Sequence, residues 1–215
     1  PEGGAVAWKS AHDIIGAGRQ VACWQQEWTL LADGGLRLDC VAELSDAVPD
    51  WPRVGVTLGL RGDFQKVEWL GRGPQENYPD RCAGAGFGRY FLPLGEMLPP
   101  YELPQEGGLR TEVREIILHA SEGLAFRICA LEQPMAFSAL PYRPHDLFAA
   151  RHFGELQPRS EVCLSLDHRH RGLGNLSCGP DVGMPYRVLP GVYRFSFQLH
   201  IETSDAAASV CAHVG

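Results

Sequence analysis

Short alternating segments between glycine and proline turns constrain the fold more than any other feature of this sequence. The 215 residues include 25 glycines and 16 prolines, too many for long helices but suited to frequent turns. Residues 21–31 and 36–44 flank an Asp-Gly-Gly turn, which is a strong β-hairpin signal. Residues 54–60 and 192–199 alternate apolar and polar side chains in the same way. Because turns recur about every ten residues, we predict an all-β sandwich.

One segment, residues 144–152, has a helical pattern. Pro144 suits a first helical turn, and Asp146 complements the helix dipole there. Arg151 stands near the C-terminal end of the pattern, shortly before Gly154. We therefore predict one short helix in an otherwise all-β chain.

Charge and cysteine usage limit the classes of partner. The net charge of −7 disfavours nucleic acid, because contacts to phosphates need a basic patch. No apolar run reaches the roughly 18 residues that a membrane span needs. The seven cysteines lack regular spacing, and Cys23, Cys40 and Cys163 are predicted to be small buried side chains in a reducing compartment. We expect a cytoplasmic protein without a metal site.

The most informative segment is residues 67–81, where a strand enters a turn of two glycines and a proline and a dense polar run follows. If buried, such a loop must hydrogen-bond itself or a ligand. The favoured interpretation is a structural loop that satisfies its own polar groups, with Asp80 or Glu76 paired to Arg72 or Arg81.

The same segment carries a resemblance. Residues 71–81, Gly-Arg-Gly-Pro-Gln-Glu-Asn-Tyr-Pro-Asp-Arg, are similar to a signature in the C-terminal domain of the large β-galactosidases of glycoside hydrolase family 2. Four further segments match that family in order: residues 99–110, 138–142, 172–180 and 190–197. An eleven-residue motif with ordered companions is far more specific than a lone short pattern. The resemblance covers roughly residues 20–200.

The resemblance implies an antiparallel supersandwich of the galactose mutarotase-like type. It implies one C-terminal domain over residues 1–215, truncated on its N-terminal side, so that a sheet edge or an apolar face is left open. The family's two catalytic carboxylates lie on a (β/α)8 barrel, which this sequence does not contain. We therefore expect a non-catalytic domain without a cofactor of its own.

The resemblance also implies partners. They are the remainder of a β-galactosidase chain, which would hold Mg²⁺ and Na⁺ on its catalytic domain, and a galactoside substrate. The parent enzyme would hydrolyse terminal β-D-galactosides with retention and would be a homo-oligomer. Neither nucleic acid nor a membrane is expected as a partner.

A loop gives the predicted substrate contact. In the family, a tryptophan on the loop that matches residues 172–180 stacks on the sugar, and here the matching residue is Cys178 in a loop about one residue shorter. A thiol offers little area where an indole offers a broad apolar face. We predict that Cys178, with Asn175 and Ser177, lines the aglycone side of a shared pocket. The alternative is a buried cysteine without a ligand.

Two other functions stay open. A mutarotase needs one general acid and one general base. The candidate acids are His119, His145, His152, His168 and His170, and the candidate bases are Glu76, Glu106 and Glu112. A free-standing carbohydrate-binding module is the other alternative, with indoles that stack on sugars or, more often in a sandwich, pack in the core: Trp24, Trp28, Trp51 and Trp69.

Overall fold

The computed structural model describes residues 6–61, 63–121, 123–176 and 178–203. Within these ranges the chain forms twelve strands and one α-helix. In chain order the strands are β1 (Ala7–Gly16), β2 (Arg19–Leu30), β3 (Leu36–Leu44), β4 (Arg53–Arg61), β5 (Phe64–Gly73), β6 (Gly86–Pro93), β7 (Arg110–Val113), β8 (Glu115–Ala120), β9 (Leu124–Ala130), β10 (Met135–Leu140), β11 (Glu161–His170) and β12 (Gly191–Thr203).

The strands form two antiparallel sheets. The large sheet has eight strands in the order β1-β2-β3-β12-β9-β8-β5-β6, and the small sheet has four in the order β4-β11-β10-β7. Each of the pairs is antiparallel. The predicted all-β antiparallel architecture is therefore confirmed.

The predicted hairpin is present as β2 and β3. In its turn the Asp33 carboxylate accepts a hydrogen bond from the Gly35 amide at 2.9 Å. The register then places Trp28 opposite Leu38 and Trp24 opposite Ala42, so that one apolar row faces the core. This hairpin sets which face of the large sheet is buried.

The helix, α1 (Pro144–Ala149), is shorter than predicted. Its start agrees with the sequence pattern, because Asp146 accepts a hydrogen bond from the Arg143 amide at 2.8 Å. It ends at Ala149 instead of reaching residue 152, because the backbone of Ala150 is already extended. Among the residues described, no helix has the length and apolar character of a membrane span.

The core lies between the two sheets. Trp69 on β5 is fully buried, and its ring packs on Tyr90 at 5.6 Å and on Phe137 of the small sheet at 6.0 Å between centroids. Each such buried aromatic contributes about 1.5–3 kcal/mol through removal of apolar surface from water. Cys40 and Cys163 are buried as predicted, whereas Cys23 is only half-buried.

The small sheet covers only part of the large one. At the β1 end, Trp8 is 48% exposed, stacks on Trp28 at 5.9 Å and stands on the same open surface as Ile14, which is 45% exposed. β1 is also a sheet edge with one paired neighbour. The large sheet therefore exposes apolar side chains on one face at its β1 edge.

Candidate functional site

The polar loop that follows β5 is held by backbone groups of a distant segment. The carboxylate of Glu76 accepts hydrogen bonds from the Tyr101 hydroxyl and, at 2.7 Å, from the Gly108 amide. The buried Asn77 amide oxygen accepts the Thr111 amide at 3.0 Å and the Thr111 hydroxyl as well. These bonds fix the loop against β7 and the segment that leads into it.

A buried guanidinium, that of Arg110, hydrogen-bonds the backbone of the same loop and of the segment that precedes β7. Arg110 is 1% exposed and donates to the carbonyl oxygens of Pro74, Met97 and Gly108 at 2.9–3.2 Å. Its guanidinium lies 5.4 Å from the ring centroid of Trp69, a cation–π distance. Burial lowers the pKa of Arg110 to about 10.

Asp80 joins this polar loop to a second loop, residues 171–190. One carboxylate oxygen accepts the Leu173 amide at 3.0 Å, and the other accepts the Gly174 amide at 2.8 Å. Glycine is needed at Gly172, because a Cβ there would lie 2.6 Å from the Asp80 carboxyl carbon. Gly174 has a positive φ of 68°. The carbonyl oxygen of Gly174 also accepts a hydrogen bond from Arg81.

These contacts correct part of the sequence-based interpretation. Protein groups bond Glu76, Asn77 and Asp80 of the polar loop, but the buried Tyr78 hydroxyl has no hydrogen-bond partner among the described residues, and the predicted carboxylate–arginine pairs are wrong. Glu76 and Asp80 bond backbone amides, while Arg72 lies 2.9 Å from Glu112. Carboxylates that receive two donors each hold a loop more rigidly than one exposed ion pair does.

The two ends of the second loop are tied by a set of ion pairs that the sequence did not reveal. Arg171 donates to Asp50 at 2.7 Å and to both oxygens of Asp181 at 2.7 Å, and Arg187 donates to Asp181 at 3.3 Å. The hydrogen bonds from Arg171 lower the pKa of Asp181. The available signal was the placement of arginines on both sides of a glycine-rich loop with one internal aspartate.

The predicted substrate-lining residues occupy the tip of this loop. The Asn175 carbonyl oxygen accepts the Cys178 amide at 2.9 Å and the Gly179 amide at 2.6 Å, which closes a tight turn. Leu176 within the turn is 70% exposed, and Cys178 is exposed too. The alternative of a buried cysteine is therefore wrong. Ser177 lies outside the described residues.

An open cavity of about 840 Å³ lies beside the base of the loop. The side chains that line it include Glu112, Gln133, His168, His170, Tyr186 and Tyr193. His168 stacks on Phe195, with 5.0 Å between ring centroids and 6° between planes, and burial lowers its pKa to about 4.

The cavity brings together only part of the predicted acid–base set. His168, His170 and Glu112 line it, whereas the remaining histidines and glutamates that were considered do not. The ring of His168 is a packed aromatic, His170 bonds the Arg171 carbonyl oxygen at 2.7 Å, and Glu112 pairs with Arg72. Each of the three side chains is thus engaged by the fold. Across the described residues, no group of three or more His, Cys, Asp or Glu side chains is placed to hold a metal ion.

Comparisons with known proteins point to one family. Residues 6–199 match the family model described as β-galactosidase small chain. A β-galactosidase from Photobacterium profundum is 34% identical over 177 residues, which are 80% of this chain and 16% of that protein. A β-galactosidase from Vibrio cholerae is 31% identical over 196 residues, 90% of this chain and 18% of that protein. The chain thus spans less than a fifth of these relatives.

A solved structure shows a more distant likeness. The GalM/aldose epimerase homologue from C. elegans covers 93% of this chain and 66% of its own, with 11% identity and a TM-score of 0.47.

Replacing Asp80 by asparagine tests the anchor of the second loop. An asparagine keeps one acceptor but turns an NH₂ group toward a backbone amide, so one donor loses its partner. We expect the free energy of unfolding to fall by about 1–3 kcal/mol. Hydrogen exchange at Leu173 and Gly174 should accelerate at the same time. Asp13→Asn, on exposed β1, is the matched control, and equal exchange in the two variants would contradict the anchoring role.

Replacing His168 by phenylalanine tests its neutral packing. The folded pKa of about 4 lies below the ordinary value of 6.5, so the unfolded chain binds more protons between these pH values. The stability that His168 contributes is therefore complete above pH 6.5 and is lost as pH falls toward 4. Phenylalanine keeps an aromatic ring but cannot be protonated, so its contribution to stability does not fall at low pH. The melting temperature of the variant, relative to that of the wild type, should rise as pH falls from 6.5 to 4.5. A difference in melting temperature that does not change with pH would count against this assignment.

Proposed function

This chain belongs to the β-galactosidase small-chain family, and from that membership we propose that it lines the substrate pocket of a β-galactosidase. The reaction would be hydrolysis of terminal β-D-galactosides, with the chemistry supplied by a (β/α)8 catalytic domain. This chain would pack on that domain as a non-catalytic wall. Its partners would be the rest of the enzyme and the galactoside.

The use of carboxylates in this chain supports a non-catalytic role. Glycoside hydrolysis needs two carboxyl groups that face one glycosidic bond, one of them free to give up a proton. Here Glu76 and Asp80 hold backbone amides, while Asp181 and Glu112 hold arginines. Side chains committed in this way shape a surface instead of taking part in proton transfer.

The observation that carries the proposal is an exposed loop tip on a fixed base. Asp80 and Arg171 hold the base through five hydrogen bonds, two accepted by Asp80 and three donated by Arg171 to carboxylates. Such a base reduces the conformational entropy that is lost when the tip meets a ligand. Within the tip, the amides of Cys178 and Gly179 donate to the Asn175 carbonyl oxygen, and Leu176 and Cys178 are exposed.

The chemistry of the tip suits the aglycone side of a sugar pocket. Asn175 offers an amide that hydrogen-bonds hydroxyl groups, and its Oδ1 already lies 3.4 Å from Arg81. Cys178 offers a small apolar surface and leaves room beside the sugar. We include Ser177 in the lining set because it lies between them in sequence.

The wider setting is part of the same proposal. We place the enzyme in the cytoplasm as a homo-oligomer without contact to nucleic acid or membrane. The Mg²⁺ and Na⁺ ions of the reaction would be held by the catalytic domain. No step through those ions is assigned to this chain, because its described residues offer no suitable set of ligands.

The substitution Cys178→Trp in the complete enzyme tests the lining role. An indole at this position adds a stacking surface, so the KM for a galactose disaccharide should fall by about threefold to tenfold, in line with aromatic contacts of about 0.5–1.5 kcal/mol. The matched control is Phe91→Trp, which places an indole on exposed edge strand β6. An unchanged KM for disaccharides in Cys178→Trp would show that the tip does not line the site.

Two assays on this chain alone separate the proposal from a free-standing mutarotase. We expect no release of nitrophenol from a nitrophenyl β-galactoside, and no acceleration of α-galactose mutarotation in a polarimeter. The physical reason is that His168, His170 and Glu112 are all engaged by packing or bonding. Mutarotation that this chain accelerates, and that is lost in His170→Gln, would favour the mutarotase instead.

A further inference from the structure

We infer that His170 and Glu106 form a proton-dependent clasp, which positions the loop that carries Cys178 and loosens it when the imidazole loses its second proton. The clasp is a property of this chain alone. Its importance for substrate binding rests on the proposed function.

The geometry around the imidazole favours its doubly protonated form. His170 is the last residue of β11, and its side chain is 6% exposed. Nδ1 donates to the carbonyl oxygen of Arg171 at 2.7 Å, and Nε2 lies 3.6 Å from a carboxylate oxygen of Glu106. The Nδ1 bond needs one proton, and the distance from Nε2 to Glu106 is that of an ion pair, which forms only when the ring carries a second proton. A neutral imidazole carries only one N–H and no charge to attract Glu106.

The surrounding charges balance when His170 is protonated. Arg53 is its cross-strand partner on β4 and donates to the fully buried Asp167 at 3.0 Å. Glu106 supplies the second negative charge, and the ring of Tyr78 packs edge-on against the imidazole at 5.6 Å. Two positive and two negative groups then share the site. Neutral His170 would leave it with an excess negative charge.

The open side of the site adds few competing charges. The charged or titratable side chains that line the cavity, besides His170 itself, are Cys82, Glu112, His168, Arg169, Tyr186, Arg187 and Tyr193. Arg187 is paired with Asp181. Glu112 is paired with Arg72, and burial keeps His168 neutral by lowering its pKa. Glu106 is therefore the carboxylate that faces the imidazole from another segment of the chain.

The clasp connects the two segments that shape the site. Glu106 belongs to the proline-rich connection between β6 and β7, where Gly108 donates to Glu76 of the polar loop. His170 directly precedes Arg171, whose amide donates to the Pro52 carbonyl oxygen at 2.9 Å. When the imidazole loses its second proton, a nitrogen lone pair faces a carboxylate. That repulsion separates the connection from the base of the loop.

The pKa directions agree with this geometry. Burial alone would lower the pKa of His170, but the contact with Glu106 and the charge of Asp167 raise it overall. Burial alone would raise the pKa of Glu106, and the contact with His170 lowers it instead. A raised histidine pKa means that the stability is fully present below about pH 6.5 and is lost as pH rises through the folded value.

Nuclear magnetic resonance of the ring nitrogens tests the proton count directly. In the wild-type chain at about pH 6.5, we expect both nitrogens of His170 to be protonated and the titration midpoint to lie above that pH. Glu106→Gln keeps the shape but removes the charge, and should lower the midpoint by about one unit. His119→Gln is the matched control, since it removes an imidazole beside Glu68 on the large sheet and should leave the midpoint of His170 unchanged.

Hydrogen exchange tests the positioning. The amides of Arg171 and Gly172 donate at 2.9 Å to the carbonyl oxygens of Pro52 and Tyr186. Their protection factors in the wild type should fall between about pH 6.5 and 8.5, because a raised folded pKa makes the clasped state bind more protons than the open one in that range. Amides in the middle of β11 serve as the internal reference, and Glu106→Gln should show little pH dependence.

Several results would overturn the clasp. They are a singly protonated His170 in the wild type near pH 6.5, a midpoint that Glu106→Gln does not move, and loop protection that stays flat with pH. The protonation state of His170 and the pH dependence of loop protection are measured on the wild type, so they test the clasp even if Glu106→Gln fails to fold. Failure of the proposed function would appear in the hydrolysis and KM assays. The tests of the clasp do not depend on those assays.

Discussion

The carboxylate of Asp80 makes the contact on which the rest of the site depends. Its two oxygens accept backbone amides from residues 93 and 94 positions further along the chain. Because a carboxylate cannot donate, it selects a loop conformation in which consecutive N–H groups point at it. Gly172 and Gly174 allow that conformation, one through lack of a side chain and the other through its positive φ. Two distant sequence motifs thus become one surface.

The sequence predicted the architecture better than it predicted the bonds. Alternation and the Asp-Gly-Gly turn are local signals, and they indicated the hairpin of β2 and β3 and the all-β class. Local signals also predicted the start of the helix. They did not predict its end at Ala149, where the backbone of Ala150 becomes extended.

The bonding partners at the site needed the folded chain. The choice between Arg81 and the amide of Leu173 as partner of Asp80 depends on how the two loops meet, and so does the approach of Glu106 to His170. The tip was placed by resemblance alone: the sequence has a cysteine at the matching position, but its exposure follows from the turn that Asn175 closes. Residue spacing carries no information on contacts of this kind.

The division of the loop into a bonded base and an open tip has an evolutionary consequence. The base depends on side chains such as Asp80 and Arg171, whose replacement disturbs several bonds at once. The tip is closed by main-chain groups, so the exposed Leu176 can change identity at little cost in folding free energy. Mutations can therefore accumulate at the tip while selection for a folded scaffold acts on the base.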